Sequence, residues 1–176
     1  MATDAKLAIE AVYHGQKPAM FESQSNGSDY IAATGFMARL CASPNPVLNS
    51  SLWFLERGYG GIVRALEYKD WQTSTHFNGS IVAVCTWFCF AGVQIYEQCK
   101  RGEMMMNCSA LWFKDPWNGS GRHDELWKEK GGLSVERWQF WKSRFEAVVK
   151  DEKTSSSAKF GARSAVSHMT RIEEEN

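Results

Sequence analysis

At 176 residues, 44% of them apolar, the chain has the length of one domain and enough core-forming side chains to fold without disulfides or a metal. Twenty lysines and arginines balance twenty aspartates and glutamates with no basic block, which excludes the electrostatic footprint of a DNA or RNA binder. Aromatic residues reach 13%, including eight Trp, a surplus that either fills a core or lines an apolar pocket.

The spacing predicts a first helix over residues 3–14, capped by Thr3, with Leu7, Ile9, Ala11 and Val12 as its apolar set. No apolar leader precedes it, so a cytoplasmic protein without a signal peptide is expected. A second helix follows Ser28 or Asp29 through YIAATGFMARLCA and stops at SPNP, because the residue before a proline is biased out of the helical region. The third pattern comes in two parts, Leu52 to Glu56 and Ile62 to Lys69. Gly58, Gly60 and Gly61 between them predict a kink or loop.

From Ile81 to Val93 only Thr86 interrupts an apolar run, which is shorter than the roughly 18 residues of a membrane span. Residues 80–100 are therefore predicted to be a central helix buried on most sides, ended by Lys100, Arg101 and Gly102. Residues 103–132 read as an aromatic loop carrying Trp112, Phe113, Trp117 and Trp127, pinned to the body or covering something. Ser134 caps a helix to residue 149, on which Trp138, Trp141, Phe145 and Val149 form a core stripe. Arg137 and Arg144 flank that stripe and need a carboxylate, carbonyl or water; Glu173 to Glu175, at the end of a last helix, are the candidate acids. On that last helix Phe160, Ala165, Val166 and Met169 are expected to point inward. The whole is a compact all-α single domain, a helical bundle around a buried central helix.

The segments TWFCFAGVQIYEQC, DELWKEKGGLSVERWQFWKSRF and ARSAVSHMTRIEE, in that order, resemble a family of small fungal proteins classed as a domain of unknown function. The resemblance covers residues 85–176 and centres on Glu-Arg-Trp-x-Phe-Trp-Lys-x-Arg-Phe. It implies an all-helical, soluble, intracellular protein. Members that accompany natural-product gene clusters imply a cofactor-free cyclase of Diels–Alderase type, acting on a terpenoid or polyketide intermediate.

Conventional catalytic motifs are absent from the sequence, and His14, His76, His123 and His168 are too scattered to read as a metal centre. The five cysteines lack a C-x-x-C and read as reduced, buried thiols. Five N-x-S/T sequons, Asn78 among them, read as turn chemistry, since glycosylation requires export. An intramolecular cycloaddition needs no such motif; it needs its two reacting parts held together and a donor to the activating carbonyl. The expected pocket lies between the central helix and the N-terminal helices. Trp53, Phe54, Trp87, Phe88 and Met105 are its wall candidates, Trp112 and Trp117 its lid, and Tyr59, Tyr96, Arg64 or His123 its donor. No cofactor or metal is expected, and the partner is a hydrophobic small molecule. The alternative is a non-catalytic helical interaction module, or a carrier of a hydrophobic metabolite.

Overall fold

The computed structural model describes residues 28–45, 51–69, 76–102, 126–128 and 132–176, without the side chains of residues 51–54, 56 and 57. Five helices account for most of them: α1 (Ser28–Cys41), α2 (Ser51–Glu67), α3 (Phe77–Arg101), α4 (Val135–Lys150) and α5 (Ser156–Glu175). No strand occurs among the described residues, and the fold is all-α. The predicted helix over residues 3–14 lies outside them.

The longest helix, α3, is the centre, as its apolar run requires. Its buried face of Ile81, Val84, Trp87, Phe88, Ile95 and Cys99 packs on all four other helices, most extensively on α1 and α5. Gly102, in the left-handed region at φ 65°, ends it and donates its N–H to the carbonyls of Cys99 and Gln98. Ala91 departs from helical geometry at φ −114° and ψ 16°, beside Gly92, which kinks the helix past its midpoint. Asn78 lies in the first turn of α3, not in a loop. Its side-chain carbonyl accepts the Ser155 N–H at 2.9 Å, holding the turn between α4 and α5 against the start of α3.

The glycine-rich stretch behaves differently from the predicted break, because α2 is one continuous helix through Gly58, Gly60 and Gly61. Close packing explains the glycine at position 58. A Cβ there would fall 2.5–2.7 Å from the Trp87 ring, so the bare backbone is the seat of that indole. Gly92 against Ile172 and Gly161 against Cys85 bring α5 similarly close to α3.

Helix α4 starts where its cap predicts, with Ser134 accepting the Arg137 N–H at 3.1 Å. Trp138, Trp141 and Phe145 are fully buried, and their rings meet Phe88 at centroid distances of 5.5, 5.9 and 5.0 Å. The stripe on α5 is Ala158, Ala162, Ala165, Met169 and Ile172, all buried. Phe160, expected inside, is 72% exposed, because it falls on the side of α5 opposite that stripe.

Candidate functional site

The strongest polar constellation in the described residues is built on Glu67, the last residue of α2. Its carboxylate is 1% exposed and accepts three hydrogen bonds. Arg137 gives two of them in a fork, Nε to Oε1 at 2.8 Å and a terminal nitrogen to Oε2 at 2.6 Å. The Trp141 indole gives the third, to Oε1 at 2.6 Å. Arg137 spends its remaining direction on the Gly132 carbonyl at 2.8 Å, and its guanidinium lies near the rings of Tyr59, Trp127 and Trp141 at 5.1–5.8 Å. The Leu126 N–H meets the Glu67 carbonyl at 2.6 Å, and the Trp127 ring packs on Phe140.

Glu67, Arg137 and the Trp141 indole satisfy one another within the cluster. Three of about four acceptor sites on this buried carboxylate are taken, two of them by the guanidinium that pairs its charge, which makes it a clamp, not a base. The acid for Arg137 is therefore Glu67, not the predicted C-terminal glutamates. Arg144 takes a carbonyl instead, Leu66 O at 3.1 Å. Glu173 serves another junction. It accepts the Trp138 indole at 2.7 Å and Gln139 at 3.0 Å, and pairs with Lys142 at 2.6 Å, fastening the end of α5 to α4.

The structure brings some of the sequence-predicted site residues together, inside the core. Trp87 and Phe88 are 1% and 0% exposed, the first seated on Gly58 and the second enclosed by rings of α4. Tyr59 is buried with its ring edge on Trp141 at 6.2 Å, and Tyr96 is half-buried on Trp138 at 5.0 Å. Arg64 stands on the exposed side of α2, where its charge acts on Tyr30. Burial raises the Tyr30 phenol above its ordinary value, and Arg64 partly offsets that. Met105, Trp112, Trp117 and His123 lie outside the described residues, as do the side chains of Trp53 and Phe54.

Concavities lined by described residues occur at the outer side of α4, away from the expected position between α3 and the N-terminal helices, whose wall candidates lie partly outside the described residues. One, of about 280 Å³, lies between α4 and α5; a smaller one of about 120 Å³ is lined by Phe77, Arg144, Ala147, Val148 and Asp151. Among the described residues no three His, Cys, Asp or Glu side chains converge as metal ligands. Of the described thiols Cys41, Cys85 and Cys99 are buried and Cys89 is half-buried; Cys41 is pushed up to about 11 and Cys99 to about 12, in both cases chiefly by desolvation.

Sequence reasoning missed an exposed apolar face. Phe36 on α1 and Phe90 and Val93 on α3 are 53%, 40% and 45% exposed. The Arg39 guanidinium covers the Phe90 ring at 3.9 Å, and Gly35, next to Phe36 in α1, abuts Thr86, one turn before Phe90. The readable signal was the spacing Val82, Thr86, Cys89, Val93 inside the apolar run, a second helical stripe opposite the buried one.

No curated protein and no solved structure matches the chain. A family described as "Protein of unknown function (DUF3632)" matches residues 5–145. That span takes in the N-terminal half and stops at Phe145, short of α5, an extent different from the C-terminal resemblance expected from the sequence. Matched over most of its length, from before α1 to within α4, the chain belongs to the DUF3632 family.

Proposed function

We propose that this chain is a helical interaction module that binds an amphipathic helix of another protein on the α1–α3 face. The observation that carries this reading is the exposure of Phe36, Phe90 and Val93, the most open large apolar side chains described on α1 and α3, two helices that pack on each other. Of the stripe Val82, Thr86, Cys89 and Val93, the first two are already met by α5 at Gly161 and by α1 at Gly35, so the part open to a partner is Val93 with the neighbouring Phe90 ring. Arg39 has no carboxylate partner among the described residues, so an acidic residue beside the partner's apolar stripe would complete the contact.

The cyclase expected from the resemblance needs open aromatic walls. Trp87 and Phe88 are instead packed against Gly58 and the α4 rings, which favours binding over chemistry for this part of the molecule. The test begins with proximity labelling in the native cell, wild type against Val93→Glu, followed by purification of each partner lost in the variant. Direct binding weakened more than tenfold by Val93→Glu, and unchanged by Ser157→Glu in the exposed first turn of α5, supports the module. Isomerisation of a linear terpenoid or polyketide precursor by the purified chain, with no partner sensitive to Val93→Glu, would replace it with the cyclase.

A further inference from the structure

The groove between α4 and α5 carries a second reading, independent of the α1–α3 face. Its six lining residues are Glu146, Val149, Lys150, Arg163, Val166 and Ser167. All lie beyond residue 145, where the family match stops.

The lining is almost wholly apolar, although four of the six residues are polar or charged by type. Val149 and Val166 contribute whole apolar side chains, and a lining this apolar draws on the aliphatic stems of the longer side chains more than on their charged heads. Two cations stand there on different helices, Lys150 and Arg163. Neither has an ion pair among the described residues, and Glu146, one turn before Lys150, is not within pairing distance of it. With the exposed Glu146 carboxylate on the same rim the net charge is still positive, and an apolar trough beside two unpaired cations is complementary to an apolar chain ending in a single anion.

We propose that the α4–α5 groove binds a medium-chain amphiphilic carboxylate, with the acid between Lys150 and Arg163 and the chain over Val149 and Val166. Size limits the groove to a small ligand, since about 280 Å³ falls just below the roughly 300–1,000 Å³ of ligand clefts. One turn from each helix lines the groove, room for a single anchor, whereas a docked helix needs anchors over two turns or more. Phe160 adds an exposed ring near the groove without lining it. It lies one turn before Arg163, shares the outer side of α5 with Arg163 and Ser167, and is the most exposed large apolar side chain among the described residues.

The test is a titration of the full chain, with valine methyls isotopically labelled, against decanoate and against decanol, both below the concentrations at which they form micelles. Saturable shifts of the Val149 and Val166 methyls with decanoate are expected, with binding about tenfold weaker for decanol. Lys150→Gln and Arg163→Gln should each weaken decanoate about twofold to fivefold, as loss of one exposed charge contact does. Both are surface changes that leave the core untouched. Equal affinity for decanol, unmoved Val149 and Val166 methyls, or shifts confined to other valines would overturn the assignment. So would a groove that responds only to an acidic amphipathic peptide. Failure of the partner experiment with Val93→Glu leaves this result unaffected, since the two surfaces share no residue.

Discussion

Glu67 shows how much of the fold can depend on one side chain. Removing one partner of a buried charge pair leaves the other unsatisfied in the core, at a cost of about 3–5 kcal/mol. Glu67→Met and Arg137→Met should each lower stability by that amount in urea unfolding, while the double variant recovers most of the loss, because no orphaned charge remains. Two glycines give a contrast of the same scale. Gly58→Ala drives a methyl into the rigid, buried Trp87 ring and should cost about 1–3 kcal/mol or more, beyond the roughly 1 kcal/mol that alanine gains as a helix former. Gly92→Ala meets only the tip of Ile172, a side chain that can turn away, and should cost clearly less. Equal losses for the two would mean that the indole yields as easily as the isoleucine.

At the scale of the element, α4 is set by its first turn. Ser134→Ala should cost about 1 kcal/mol, read from the urea midpoint, since it leaves the Arg137 N–H without its cap. Glu136 adds a pH signature. Hydrogen bonds from its own backbone N–H and then from Ser134 hold its carboxyl below the ordinary value, so its contribution is present above the unfolded pKa and disappears as pH falls through the folded one. Stability of wild type and Glu136→Gln should therefore differ near neutrality and converge in acid. These helices were legible because capping and periodicity are local: Ser134 marked α4, and the apolar run marked α3. The continuity of α2 was not legible, because glycine is a helix breaker by propensity and only the Trp87 ring, brought from another helix, explains Gly58. Phe160 failed for a related reason, since an apolar residue in a helical sequence reads as core until the whole stripe of small alanines is placed.

For the molecule as a whole, the buried thiols predict weakness in alkali. Cys41 and Cys99 ionise near their ordinary value of 9.0 when unfolded but are held to about 11 and about 12 when folded. A raised folded pKa makes this contribution full below about pH 9 and lost as pH rises toward the folded values. Urea midpoints should fall across that window, and Cys99→Ala should flatten the slope even though it lowers stability at neutral pH. Of the candidate site, the sequence made legible which side chains are large and aromatic, but not whether they face a cavity or one another. Trp87, Phe88 and Tyr59 look alike in sequence whether they line a pocket or fill a core, and the helix arrangement decides. The Glu67–Arg137 clamp was half legible: Arg137 advertised its need for an acid, but nothing local singled out a glutamate 70 residues away. That separation also sets an order of events during folding. Residues 132–176 can pair α4 with α5 across a short turn at once, whereas the clamp must wait until a long stretch of chain has closed. Stopped-flow chevrons should accordingly show Arg137→Met accelerating unfolding far more than it slows refolding, so that the clamp acts as a late latch on a molecule already assembled.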